Sequence, residues 1–215
     1  MHTLNRHRVA RLSAALLAAA GALTFCIGTN VANGAEIVPS HALSTETPFC
    51  ATQAPTLEES VGKSEMIETT CFSTQGKALA AATDNEAFSS LSNKETLALV
   101  LDHATSETAA QSTPTLLSTS LLSVDSVDWH YEGATNYWYG QSDGCDSTSY
   151  VANTMPLGWD NVVSSSLLVA SGGCDYNWHY ENPSKGGASI NCDYTNRCYY
   201  IGDVMNDRTS SETWG

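Results

Sequence analysis

The chain is 215 residues long and carries 9 Lys+Arg against 23 Asp+Glu, a formal charge of −14. So few cations cannot neutralise a phosphate backbone or an anionic bilayer, which sets aside nucleic acid and membrane as partners. An acidic surface leaves two readings open, cation binding and plain solubility.

The first expected element is a leader. Arg6, Arg8 and Arg11 precede the apolar run SAALLAAAGALTFCIG, and the small residues Val31-Ala32-Asn33-Gly34-Ala35 follow it. This is the pattern of a secretory signal peptide over 1–35, cleaved near Gly34 to Ala35. The run is short for a membrane span, and Phe25 is bulky where a lipoprotein site before Cys26 would want a small residue. The expected mature protein is therefore secreted and extracellular, with six Lys+Arg against 23 Asp+Glu, a formal charge of −17.

Six cysteines remain after the leader: Cys50, Cys71, Cys145, Cys174, Cys192 and Cys198. An even number in an exported chain reads as disulfides. Zinc is the weaker reading, because no C-x-x-C occurs and five residues separate Cys192 from Cys198. Composition suggests pairing Cys50 with Cys71 and keeping the last four among themselves, with their connectivity open.

Residues 36–123 are rich in Ala, Ser and Thr. Helices are expected in QGKALAAAT and SNKETLALVLDH, the second opened by a capping-box pattern of Ser92 and Glu95 ahead of Leu97, Val100 and Leu101. The segment ATSETAAQSTPTLLSTS, with Pro114, has the character of a linker. This region reads as a small appended layer, a pro-region or a partly disordered segment. All four Phe lie at or before Phe88, whereas all five Trp and nine Tyr lie at or beyond Trp129, so two different cores are implied.

From Val124 to Gly215 short strand-like runs alternate with Gly, Asn, Asp and Ser, the texture of an all-β sandwich. The segment also repeats. Trp129-His130-Tyr131-Glu132 returns as Trp178-His179-Tyr180-Glu181, Cys145-Asp146 as Cys192-Asp193, and Asp160-Asn161 as Asn206-Asp207. The order of landmarks is kept, so the segment reads as a duplicated four-stranded unit, two Greek keys packed into a sandwich of about ninety residues. Alternation along the repeated strands places the aromatic rings inward, with His130, Glu132, His179 and Glu181 on the outward face.

These residues resemble the βγ-crystallins, a family whose Greek keys open on an aromatic-Glu pair, turn through a folded hairpin ending in Gly, and later supply a serine that caps the hairpin. Tyr180-Glu181 with Gly187 fits that pattern, while Tyr131-Glu132 reaches a glycine only at Gly140, which implies an enlarged first hairpin. Microbial members carry the loop [Asn/Asp]-[Asn/Asp]-x-x-[Ser/Thr]-Ser, spelled here as Asp160-Asn161-Val162-Val163-Ser164-Ser165 and Asn206-Asp207-Arg208-Thr209-Ser210-Ser211. The resemblance covers residues 124–215 and implies calcium as the ligand. Asn161 or Asp207 would give a side-chain oxygen, Val162 or Arg208 a carbonyl, Ser164 or Ser210 a hydroxyl, and the backbone near Glu132 or Glu181 a further carbonyl. Calcium wants six to eight such hard oxygens. The bland alternative is that the serines and Asx residues merely close turns.

Some secreted metalloproteinase inhibitors share this fold and carry a string similar to Asn206-Asp207-Arg208-Thr209-Ser210-Ser211, so the resemblance also implies an inhibitor as the alternative function, with a secreted protease or another extracellular protein as partner. A structural or stress-related extracellular role is a further alternative. Candidate partner-binding segments are Gly133 to Gly144, with Tyr137, Trp138 and Tyr139, and the loop Asn182 to Gly187. Catalytic motifs are missing: Gly62-Lys63-Ser64 lacks the glycine a phosphate loop needs at position 57, which is Leu57, and neither G-x-S-x-G nor H-E-x-x-H is present. The expected protein is not an enzyme.

Overall fold

The computed structural model describes residues 48–61, 67–105, 121–141, 144–169 and 173–215. The leader, Gly62-Lys63-Ser64 and the linker around Pro114 lie outside the described residues. Among the described residues no helix is long and apolar enough to cross a membrane.

The segment from Leu121 onward folds as two Greek keys. The first contributes β3 (Leu121–Ser126), β4 (Thr135–Tyr139), β5 (Tyr150–Ala152) and β6 (Ser165–Leu168); the second contributes β7 (Asn177–Asn182), β8 (Gly186–Asn191) and β9 (Ser211–Trp214). Each key lends its third segment to the other's sheet. β5 pairs with β9 in the sheet β5-β9-β7-β8, and Cys198 bridges to Ser166 at the free edge of β6. The exchange locks the two keys together, since neither sheet is complete without the other unit. This is the all-β, βγ-crystallin-like sandwich that the sequence implies.

The duplication has a register different from that of the repeated Trp-His-Tyr-Glu string. His130, Tyr131 and Gly133 adopt φ of 58°, 64° and 76°, and Ser184, Lys185 and Gly187 adopt 56°, 66° and 78°. The two folded hairpins thus match Tyr131 to Lys185, and the true counterpart of Glu181 is Val127 rather than Glu132. Serine caps confirm the match. Ser165 Oγ accepts the Tyr131 N–H at 3.0 Å and donates to the Asp128 carbonyl at 2.6 Å; Ser211 Oγ accepts the Lys185 N–H at 3.0 Å and donates to the Asn182 carbonyl at 2.7 Å. The first hairpin is therefore not enlarged. Its glycine is Gly133, where a left-handed backbone suits a residue without Cβ.

Alternation is also inverted in the second key. His179 is fully buried, whereas Trp178 is 36% exposed and lies beside Tyr180 on the outer face. In the first key Trp129 is 56% exposed and belongs to the hairpin, not to a strand.

The region before the sandwich is built onto it. β1 (Phe49–Gln53) pairs in parallel with β4 and antiparallel with β2 (Thr69–Phe72), giving the sheet β2-β1-β4-β3-β6. Cys50 faces Cys71 across β1 and β2 and is bonded to it. The other disulfides are Cys145–Cys174 and Cys192–Cys198, the latter fastening the bridging segment at Cys198 to the end of β8. A short α1 (Leu57–Ser60) carries a full capping box between Thr56 and Glu59.

Helices α2 (Gln75–Thr83) and α3 (Asn93–Thr105) form a layer over the outer face of the five-stranded sheet. Ser92 and Glu95 make the expected reciprocal cap on α3. Gly76 is required where α2 meets the following turn, because a Cβ there would stand 2.5 Å from the Phe88 carbonyl oxygen. The five-stranded sheet is consequently buried on both faces, and β4 serves both. Tyr137 points into a cluster with Phe49, Leu79, Phe88 and Val100, while Trp138 points into the sandwich with Tyr150, Trp159, Leu168 and Trp214. The segregation of Phe from Trp in the sequence thus marks two cores on opposite sides of one sheet.

Candidate functional site

The two Asx-Asx-x-x-Ser-Ser loops lie side by side and are related by a local two-fold arrangement. The Asn161 N–H donates to the Thr209 carbonyl at 3.0 Å, and the Asp207 N–H donates to the Val163 carbonyl at 3.1 Å. Asn161 and Asp207 take left-handed φ of 59° and 55°, a conformation that Asn and Asp tolerate better than most residues. Val163 and Thr209 are buried and anchor the loops, leaving Asp160, Asn161, Asp207 and Arg208 exposed.

Side-chain pairing crosses between the loops. Ser164 Oγ donates to Asp207 Oδ1 at 3.0 Å, and Ser210 Oγ donates to Asn161 Oδ1 at 3.3 Å. The first Asx of each loop orients the second: Asn161 Nδ2 donates to Asp160 Oδ2 at 2.9 Å, and Asn206 Nδ2 donates to Asp207 Oδ2 at 2.8 Å. Each loop therefore gives a hydroxyl to one oxygen pair and an Asx oxygen to the other.

Backbone from the hairpins completes the setting. The Ser164 N–H donates to the Ser126 carbonyl at 2.9 Å, and the Ser210 N–H to the Tyr180 carbonyl at 2.8 Å. The Ser164–Asp207 pair thus sits beside the Ser126–Val127 end of β3, and the Ser210–Asn161 pair beside Tyr180–Glu181. Glu132 is displaced from both. It lines a groove with Gln75, Asn93 and Lys94 at the helical layer, so its expected role passes to Val127. Glu181 is in place, but its carboxylate is engaged: Oε2 accepts the Ala188 N–H at 3.0 Å and Oε1 accepts Arg208. These bonds, led by the Ala188 N–H, hold its pKa below the usual range. Val162 and Arg208 stand in the two turns, and the Arg208 guanidinium is turned away onto Glu181 and the Val204 carbonyl.

The donor set is hydroxyl, amide and carboxylate oxygen with no nitrogen or sulfur, which suits a hard cation. The expected aromatic partner surface is not there. Tyr137 and Trp138 are buried because they lie on β4, an internal strand between β1 and β3, and Tyr139 is partly buried against the helical-side core.

A second constellation is absent from the sequence reading. Asp125 of β3, His179 of β7 and Glu212 of β9 are all fully buried between the two sheets, with one ligand atom from each lying within 4.8 Å of the others. His179 and Glu212 are direct cross-strand neighbours. Burial, then the neighbouring Glu212, raises Asp125 well above the usual carboxylate range; burial pushes Glu212 up to about 8 and His179 down. The one sequence signal was His179 itself, which strand alternation assigned to the wrong face.

No protein-family model matches the chain, and no curated protein matches it. Among solved structures, the chain is similar to a mutant betagamma-crystallin domain from Clostridium beijerinckii, at 17% identity and a TM-score of 0.31, covering 43% of this chain and 97% of that one. The fold described above rests on its own strand order and paired serine caps.

Proposed function

We propose that the protein is a secreted calcium-binding module in which the two loops form a linked pair of sites. The crossed pairing of Ser164 with Asp207 and Ser210 with Asn161 carries this reading. Two turns that needed only to close themselves would bond within each loop; these instead bring oxygen atoms from both loops together at two places. Asp207, Ser164 and the backbone beside Val127 would hold one ion, and Asn161, Ser210 and the backbone beside Glu181 the other. The first site has a carboxylate where the second has a neutral amide, so the first binds more tightly. Arg208 does not oppose binding, because Glu181 neutralises it. Three disulfides agree with an oxidising destination.

Calorimetric titration of calcium into the disulfide-bonded protein tests this. Two binding events are expected for the wild type. Ser164→Arg places a cation against Asp207 and removes that event while weakening the other, and Ser210→Arg removes the event at Asn161. Heat of calcium binding unchanged by both substitutions would overturn the assignment.

A further inference from the structure

We infer that Asp125, His179 and Glu212 form a second, structural metal centre inside the sandwich, specific for a divalent transition ion of the zinc class and independent of the loop sites. Its first support is the concentration of unpaired polar atoms. Asp125 Oδ1, both ring nitrogens of His179 and both carboxylate oxygens of Glu212 are buried and meet hydrogen-bond geometry with no partner; the two carboxyl groups interact with each other, and Ser166 and Asn177 stand beside them. Buried polar groups are nearly always satisfied, and each one left without a partner is costly, more so when it is charged. Such a group of orphans on three touching side chains calls for an occupant that accepts lone pairs.

Geometry gives the second support. His179 Nδ1 lies 3.2 Å from Glu212 Oε1, yet the two make no hydrogen bond. Neighbouring ligands that each stand about 2.0–2.2 Å from a shared zinc ion are separated by a similar distance. Trp138 Nε1 donates to Asp125 Oδ2 at 2.6 Å, which fixes that carboxylate and leaves Oδ1 facing the other two groups. A metal ligand held by an outer hydrogen bond is the usual construction of such a centre. Asn177 supplies a fourth candidate donor. It is fully buried, shares a face of β7 with His179, and sends its amide nitrogen to Ser166 Oγ at 3.2 Å, while its Oδ1 is unpaired.

Charge and donor chemistry select the ion. Two carboxylates and a neutral imidazole around a divalent cation sum to zero net charge, which a dry site bounded by Trp138 and Trp214 can hold. A mixed nitrogen and carboxylate set suits zinc or manganese, and the imidazole disfavours calcium, which takes oxygen. Because all three side chains are fully buried, the ion is captured during folding, where it ties β3 of one sheet to β7 and β9 of the other.

The test is refolding of the full secreted chain with its disulfides intact. The protein is unfolded in guanidinium and diluted into calcium buffer containing either zinc chloride or a zinc-selective chelator, then freed of unbound metal and analysed for bound metal. The expected result is one zinc per chain after refolding with zinc and none after refolding with chelator. Refolding with cobalt should give visible d–d absorption without a thiolate charge-transfer band. His179→Gln and Glu212→Gln should lose the bound zinc, whereas Ser164→Arg should keep it. Zinc-free wild type from the zinc arm overturns the inference whether or not the variants fold, and so does equal retention by Glu212→Gln.

Discussion

As proposed cation sites, the paired loops and the buried cluster are built in opposite ways. The loops use short oxygen donors held at the surface by backbone bonds between turns. The cluster brings two acids and an imidazole from three strands into a site with no exposure, where the sandwich itself must supply the framework. An exposed site can exchange its ion with solvent, and a closed one makes its ion part of the fold.

Breaking the framework should separate the two regions. Trp214 stacks at a tilt on Trp138, with ring centroids 4.9 Å apart, and its Nε1 donates to Ser123 Oγ at 2.9 Å. Trp214→Ala should cost about 3–5 kcal/mol, read by guanidinium denaturation. If the variant still folds, calcium should stabilise it as much as it does the wild type, because the two rings send their N–H groups to Asp125 and Ser123 and not to the oxygen donors of the loops.

The loops depend instead on the serine that ends each of them. Ser165→Ala or Ser211→Ala strips a folded hairpin of one acceptor and one donor, and each should cost about 1–3 kcal/mol, more for Ser165, whose bond from the Tyr131 N–H is buried, than for Ser211, whose two bonds are part-buried. Calcium affinity should fall as well, since the hairpin backbone beside each site loosens; unchanged affinity would show that the hairpins give no ligand. The smallest effect should come from a site remote from both regions. Thr74 caps α2 by accepting the Lys77 N–H, and Thr74→Ala should lower stability by about 1 kcal/mol with calcium binding untouched.

The same contrast explains what the sequence made legible. The loops were readable because each is a contiguous six-residue string that repeats and ends in its serine cap, so the string predicted two matching turns. The crossing of Ser164 to Asp207 was not readable, since it depends on how two turns 46 residues apart face each other. Asp125, His179 and Glu212 belong to three strands, and nothing local in their neighbourhoods announces a site. The repeated Trp-His-Tyr-Glu string misled in a physical way. Aromatic rings were expected inside, but β7 turns His179 inward toward Glu212 and leaves Trp178 at the surface, and in the first key the string falls in the hairpin. The parallel pairing of β1 with β4, which makes the Ala-rich region a layer of the fold, came from long-range register that composition does not encode.

Thermal melting of the disulfide-bonded protein in saturating calcium and in calcium chelator reads ion binding by the loops as a gain in stability. A ligand that binds only the folded state adds RT ln(1 + [L]/Kd), about 2.7 kcal/mol per site at roughly a hundred times Kd. The expected result is a higher melting temperature in calcium, a much smaller rise in magnesium, whose short octahedral geometry does not fit oxygens spread over two loops, and a reduced rise in Ser164→Arg. Identical melting of the wild type in calcium and in chelator would contradict it and leave the loops as turns alone.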